Sequence, residues 1–128
     1  MPDPLARFRA HPDPAGRGRV GEEEAVAWLC RRGYRVVERN ARTRAGEIDL
    51  VAEDGDTLCF VEIKARTTAA YGPAVAAVGR AKQRRLLRAA ALWLARHPQD
   101  RPCRFDVLGL DAAGDGWEFT LLRGAFGR

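Results

Sequence analysis

The pattern of apolar and polar positions divides the chain into a helix, three strands, a second helix and two further strands. Helical spacing marks Gly21–Arg32 and Gly79–His97, which end at a glycine and a proline. Runs rich in β-branched and aromatic residues mark the predicted strands, which are Tyr34–Glu38, Gly46–Glu53, Thr57–Ala65, Arg104–Leu110 and Trp117–Leu122. This order predicts a single α/β domain with a mixed central sheet and a helix on each face.

The third predicted strand, Thr57–Ala65, carries two charged residues in an otherwise apolar run. Alternate residues of a strand share a face, so Glu62 and Lys64 point the same way while the opposite face is apolar. Buried charges need a partner, a metal or a catalytic role. Lys64 and Lys82 are the only lysines among 22 basic residues, and lysine suits chemistry because its pKa shifts readily. An ordinary Glu62–Lys64 ion pair on a half-exposed strand end is the alternative.

The turn before this strand decides what faces Glu62. Residues 54–56, Asp-Gly-Asp, predict a tight antiparallel hairpin. If the last two of them form the loop, Asp49 lies directly opposite Glu62; if the first two do, Asp49 lies opposite Phe60 and diagonal to Glu62. Both registers put Asp49, Glu62 and Lys64 on one face, whereas a three-residue loop would turn Asp49 away.

The first predicted helix begins with three consecutive glutamates, of which Glu22 is the first. Acids in a first turn interact favourably with the helix dipole, which is one explanation for all three. Glu22 also lies three, four and seven residues before the apolar Ala25, Val26 and Leu29, so it belongs to the buried face. Both interpretations of Glu22, helix cap and functional acid, are open.

The charge of the chain favours a polyanionic partner. The net charge is +5, which indicates nucleic acid first and an acidic membrane second. The second predicted helix concentrates candidate phosphate contacts, although a solvated helix face has the same composition. These candidates are Arg80, Lys82, Gln83, Arg84, Arg85 and Arg88.

Several classes of protein are disfavoured by composition. At 128 residues the chain has room for one domain, which we place at residues 19–128 after a flexible basic arm at residues 1–18. Without a long apolar run or a signal peptide, we expect a cytoplasmic protein with no membrane partner. The three cysteines are far apart and in apolar surroundings, which predicts small buried side chains rather than a zinc site or disulfides.

Paired carboxylates on adjacent strands suggest metal chemistry. Asp49 and Glu62 can hold Mg²⁺ or Mn²⁺ through oxygen ligands and leave positions for phosphate and water. Lys64 can orient that water for in-line attack on phosphorus. The residues therefore predict a divalent metal cofactor and phosphodiester hydrolysis.

Several motifs together resemble the YraN family of small bacterial proteins. They are Gly21-Glu22 with Ala25, residues 46–50 (GEIDL), residues 60–66 (FVEIKAR), Lys82 with Arg85-Leu86, residues 104–107 (RFDV), and Trp117 with Ala125-Phe126. The resemblance runs from about Arg17 to the C-terminus. That family is grouped with the restriction-endonuclease-like PD-(D/E)XK superfamily and is most similar in arrangement to archaeal Holliday-junction resolvases.

The resemblance implies a set of site residues. Glu22, Asp49 and Glu62 would be the metal-site acids, helped by the backbone carbonyl of Ile63, and Lys64 the catalytic lysine; Ile48 stands where the superfamily name has proline. Together with the residues above, the resemblance leads to the hypothesis of a magnesium-dependent nuclease, with DNA favoured over RNA and branched or structured DNA as one candidate substrate. Arg66 joins the helix residues as an expected nucleic-acid contact, and two-fold junction cutting favours a homodimer. A non-catalytic nucleic-acid-binding module, or a subunit of a repair or recombination assembly, is the alternative.

Overall fold

The computed structural model describes residues 17–68 and 72–127. Within these ranges the elements follow the predicted order, with one addition, a short 3₁₀ helix before the second α-helix. In chain order they are α1 (Arg17–Arg31), β1 (Tyr34–Thr43), β2 (Gly46–Asp54), β3 (Thr57–Arg66), the 3₁₀ helix (Ala74–Ala77), α2 (Arg80–Arg96), β4 (Cys103–Ala113) and β5 (Gly116–Phe126).

The five strands form one sheet in the order β1-β2-β3-β4-β5. Strand β3 pairs with β4 in parallel, and the other neighbouring pairs are antiparallel. The parallel pair requires a crossover, which the segment containing α2 provides. The predicted single α/β domain with a mixed sheet is confirmed, and β3 is its central strand.

Each face of the sheet is covered by one helix. Ala25 and Leu29 of α1 pack in a cluster with Val61 and Ile63, the odd-numbered residues of β3. The even-numbered Phe60 packs instead with α2 residues. Because strand side chains alternate, α1 and α2 lie on opposite faces and bury β3 on both sides. A charge anywhere on β3 is therefore close to the core.

Helix α1 begins earlier than the glutamate pattern predicts. It starts at Arg17, and its first turn contains no acidic residue. Glu22 therefore lies beyond the first turn, where the effect of the helix dipole has largely fallen off. The cap explanation for Glu22 is wrong for this reason. The predicted arm at residues 1–18 falls outside the described residues except for its last two, which begin α1.

Strand β4 needs a glycine where the 3₁₀ helix crosses it. A Cβ atom at Gly109 would lie 2.8 Å from the backbone nitrogen and 3.0 Å from the Cβ of Val75. Because backbone must move to relieve this contact, we expect Gly109→Ala to lower the free energy of unfolding by about 1–3 kcal/mol. Gly116→Ala is the matched control because nothing lies within 4 Å of its Cβ position. Equal urea midpoints for both variants would contradict this packing.

One of the three cysteines is buried as predicted. Cys59 is buried, and burial raises the pKa of its thiol to about 12. Cys30 and Cys103 are exposed, so the expectation of three buried thiols is wrong for these two. Both lie at ends of elements, where apolar sequence neighbours do not ensure burial.

Across the ranges that the structure describes, neither α-helix has the length and apolar character needed to cross a membrane.

Candidate metal and nucleic-acid site

The β2–β3 hairpin adopts one of the two predicted registers. Asp54 pairs with Thr57, and the pairing continues to Leu50 with Val61. Gly55 takes a positive φ of 62° in the loop, a conformation that glycine adopts without strain. The next position in this register puts Asp49 opposite Glu62. The prediction made with residues 55 and 56 as the loop is therefore confirmed.

Asp49 is held at the point where the paired segment of β2 and β3 ends. Its side chain is buried, and its Oδ2 accepts a hydrogen bond of 2.8 Å from the backbone N–H of Ile63. This nitrogen belongs to the peptide that joins Glu62 to Ile63. The bond therefore fixes the Asp49 carboxylate beside the Glu62–Ile63 peptide, with the predicted carbonyl ligand one residue further along.

Glu62 is more deeply buried than any other carboxylate on β3 or β2. It is 1% exposed, and its Oε2 lies 2.5 Å from the ammonium nitrogen of Lys82 on α2. A buried carboxylate without a counter-charge would be costly, and the Lys82 ammonium supplies that counter-charge in this arrangement.

Lys64 lies two residues after Glu62 on the same face of β3 and pairs in register with Gly109 of β4. It is half-buried, whereas Glu62 is buried. Along β3, the buried carboxylate of Glu62 is thus followed by a lysine that lies nearer the surface. This gradient is compatible with an ammonium group that reaches a substrate from a protein-covered site.

Glu22 approaches from the other side of the sheet. Its Oε1 lies 2.9 Å from Arg39 of β1, and α1 packs on the face opposite α2. The resemblance implies one metal site for Glu22, Asp49 and Glu62, but Glu22 belongs to α1 whereas the partner of Glu62 belongs to α2, so Glu22 lies on the other face of the sheet. In the described ranges no three acids, histidines or cysteines group closely enough to hold a metal.

The remaining donor set still fits a hard cation. Asp49 and Glu62 supply carboxylate oxygens, and residue 63 supplies a backbone carbonyl next to the Asp49 hydrogen bond. Mg²⁺ is commonly bound through one or two carboxylates and retains waters at its other positions. The pair fits that pattern without a third acid, so the role of Glu22 in a metal site stays a prediction.

The predicted nucleic-acid residues on α2 separate into two groups. Arg80, Arg84 and Arg88 are exposed and four residues apart, which puts them on one side of the helix. The remaining residues face inward: Arg85 lies against Gly46, Lys82 pairs with Glu62, and Gln83 donates to the carbonyl of Val78 at 3.0 Å. We call Arg80, Arg84 and Arg88 the arginine stripe.

Arg66 occupies the end of β3, two residues beyond Lys64. It is half-buried, and its Nε has no hydrogen-bond partner among the residues that the structure describes. A buried donor of this kind is costly unless it finds an acceptor. Arg66 therefore remains a reasonable phosphate contact on the same strand as Glu62.

A second buried polar cluster lies at the other end of β3. Asp106 of β4 is fully buried and accepts hydrogen bonds from Tyr34 Oη at 2.7 Å and Arg104 Nε at 2.8 Å. Arg104 also pairs with Asp54 at 2.7 Å. Burial, followed by the bond to Asp106, raises the pKa of Tyr34, while Arg104 lowers the pKa of Asp54. All four groups are partnered, which indicates a structural role.

Residues 104–107 form one of the motifs of the family resemblance, but the sequence predicted no role for this cluster. The signal was present, because Arg104 and Asp106 alternate with apolar residues in the way that Glu62 and Lys64 do. Since both strands carry charges two residues apart, the pattern alone does not separate a structural cluster from a candidate active site. The partners make that distinction.

The fold and the paired acids define the class to which the protein belongs. It is a small single-domain α/β protein whose five-stranded mixed sheet and two α-helices, within the described residues, are consistent with a restriction-endonuclease-like fold. Residues 21–110 match the Uncharacterised protein family UPF0102, so the chain belongs to this family, which is the YraN family that its motifs resemble.

Bacterial relatives match over most of the chain. A UPF0102 protein of Symbiobacterium thermophilum is 50% identical over 111 residues, which covers 85% of this chain and 94% of the relative. One from Halorhodospira halophila is 48% identical over 114 residues, covering 89% of each. One from Alcanivorax borkumensis is 51% identical over 96 residues, covering 73% and 77% respectively. The names of these relatives state no activity, so function must be argued from the site.

Proposed function

We propose that the protein is a magnesium-dependent nuclease of the PD-(D/E)XK type that hydrolyses phosphodiester bonds of DNA in the cytoplasm. Branched or otherwise structured DNA is the proposed substrate, with Mn²⁺ as an alternative metal. The observation that carries this proposal is the hydrogen bond between Asp49 and the Ile63 backbone, which holds two buried carboxylates and a lysine-bearing strand end together.

Each residue has a separate task in this proposal. Asp49, Glu62 and the Ile63 carbonyl would hold Mg²⁺, which supplies charge against the phosphate and activates water. Lys64, nearer the surface on the same face as Glu62, positions the attacking water. The arginine stripe binds the phosphate backbone on either side of the cut.

A non-catalytic nucleic-acid-binding module is the second candidate. One contact favours it: Lys82 neutralises Glu62 inside the protein, so this acid needs no metal to be tolerated. The exposed arginine stripe would bind nucleic acid in either case. The two candidates therefore differ in what Glu62 does, and not in what the helix surface does.

Cleavage assays separate the two candidates. The protein, Glu62→Ala and the surface control Glu118→Ala are incubated with single strands, duplexes, flaps, forks and four-way junctions, with Mg²⁺ or Mn²⁺. The nuclease predicts cleavage of at least one structured DNA by the wild type and by Glu118→Ala, and none by Glu62→Ala. Binding of all three proteins without cleavage under either metal would support the module and contradict the nuclease.

The arginine stripe gives a prediction that holds for both candidates. Because each phosphate contact releases counterions, Arg84→Gln is expected to weaken DNA binding about equally across sequences. It should also lower the magnitude of the slope of log affinity against log salt concentration by about 1. Fluorescence anisotropy between low and moderate salt measures this. Gln99→Ala, a neutral change at a half-buried position three residues beyond the end of α2, is the control and should leave the slope unchanged. An unchanged slope in Arg84→Gln would remove the stripe from the interface.

A further inference from the structure

We propose that Lys82 is an internal counter-ion that occupies Glu62 until a divalent cation displaces it. This inference rests on the proposed metal site and adds a control on its loading. Lys82 would neutralise Glu62 in the metal-free protein, leave it when the metal binds, and then be available to the substrate phosphate. Metal binding and phosphate binding would thus be linked through one side chain.

The Lys82 contact occupies the carboxylate that the proposed metal would use. The Lys82 ammonium lies 2.5 Å from Glu62 Oε2, and the Glu62 side chain is 1% exposed. A carboxylate held this closely by an ammonium presents less free charge to a metal, so the two cations compete. Loading the site with metal must therefore cost the energy of the Lys82 contact.

Lys82 occupies an unfavourable position in α2. Lys82 is the third residue of α2, and the first turn of this helix contains no acidic residue. The start of a helix carries a partial positive charge, so a lysine there is unfavourable for the helix itself. Its pairing with Glu62 provides the compensating interaction.

The partial exposure of Lys82 makes its release feasible. Its side chain is 24% exposed, compared with 1% for Glu62, so the flexible four-carbon stem can move toward solvent while the carboxylate stays buried. Arg80 and Arg84 lie two residues to either side of Lys82 in sequence, and residues two apart in a helix point to different sides. A released ammonium would therefore stay near Glu62, where it could meet the substrate phosphate at the proposed metal site.

Metal titrations without DNA test this inference independently of cleavage. Mg²⁺ and Mn²⁺ are titrated into the wild type, Lys82→Met and the control Arg96→Met by calorimetry. Since close charge pairs in protected sites couple strongly, we expect Lys82→Met to bind metal at least about tenfold more tightly than the wild type. Arg96→Met removes an exposed positive charge from the same helix and should change the affinity by less than about twofold, because exposed charges are screened.

The result also separates this inference from the proposed function. Tighter binding by Lys82→Met alone supports the counter-ion. Equal affinities for Lys82→Met and the wild type, or equal tightening in the Arg96→Met control, would overturn the counter-ion and leave the metal site in place. No binding by any of the three proteins would overturn both.

Because Lys82→Met can fold poorly with Glu62 left unpaired, a second measurement uses the wild-type chain. The sequence contains only two lysines, so selective labelling of lysine side chains gives two NMR signals, assigned with Lys82→Arg. Saturation with Mg²⁺ should move the Lys82 signal to the position that it takes in metal-free Glu62→Gln, where its partner charge is gone. A Lys82 signal that keeps its metal-free position at saturation would contradict displacement.

Discussion

Replacing Lys64 with methionine is expected to slow DNA cleavage by about 10²–10⁴-fold while metal binding is retained, because a positioned group that assists proton transfer contributes on that scale. Lys64 lies on the face of β3 that carries Glu62, and it is nearer the surface than that acid. In the proposed nuclease it would therefore reach the attacking water without being a metal ligand. Single-turnover cleavage with calorimetry in parallel measures the two properties separately.

The control for this prediction is Arg96→Met, which removes an exposed positive charge from the far end of α2. It should leave the cleavage rate within about threefold of wild type, since screened surface charges have small effects. A Lys64→Met protein that binds metal and cuts as fast as the wild type would remove the catalytic role of this lysine.

The second large effect is expected on stability. Arg104→Met should lower the free energy of unfolding by about 3–5 kcal/mol, because removing one partner of a buried ion pair leaves the other charge uncompensated. The charge left behind is the carboxylate of Asp106, which is fully buried and accepts from Arg104 at 2.8 Å. Urea denaturation followed by circular dichroism gives the value.

Arg101→Met is the matched control for Arg104→Met. Arg101 pairs with Glu53 at 2.7 Å, and both side chains are partly exposed. Pairs in contact with solvent contribute about 0–1 kcal/mol, so this variant should be close to wild type. Equal losses in the two variants would show that the burial of Asp106 does not set the energy of its cluster.

The same cluster predicts a pH dependence. Arg104 holds the pKa of Asp54 below its ordinary value in the folded protein. The stabilisation from this carboxylate is therefore present above the ordinary pKa of aspartate and is lost as pH falls through the lowered one. The Arg104→Met protein should lose less of its remaining stability across this acid range.

The fold followed from local signals along the chain. Apolar spacing and turn residues predicted the element order, and the Asp-Gly-Asp turn predicted a tight hairpin whose two-residue loops both put Asp49 on the face of Glu62; the structure has one of these loops. These features depend on residues close together in sequence, which is why they could be predicted. The predicted start of α1 at Gly21 was wrong, because the helix begins four residues earlier, in a stretch without a clear apolar pattern.

The partners of the charged residues could not be predicted in the same way. Whether Glu62 meets Lys64, Lys82 or a metal depends on how α2 crosses the sheet, and Lys82 is 20 residues away in sequence. Glu22 met Arg39 on the other face because α1 and α2 cover opposite sides of β3. Alternation on a strand identifies which charges are buried, and the tertiary contacts decide what neutralises them.

The central claim is that Asp49 and Glu62 form a divalent metal site, and calorimetric titration of Mg²⁺ and Mn²⁺ tests it most directly. The wild type and Glu47→Gln, a half-buried acid on β2 close to Asp49 in sequence, should bind metal with similar affinity. Asp49→Asn and Glu62→Gln should each bind at least about tenfold more weakly, since each removes a charged ligand. Equal binding by all four proteins, or no binding by the wild type, would contradict the account.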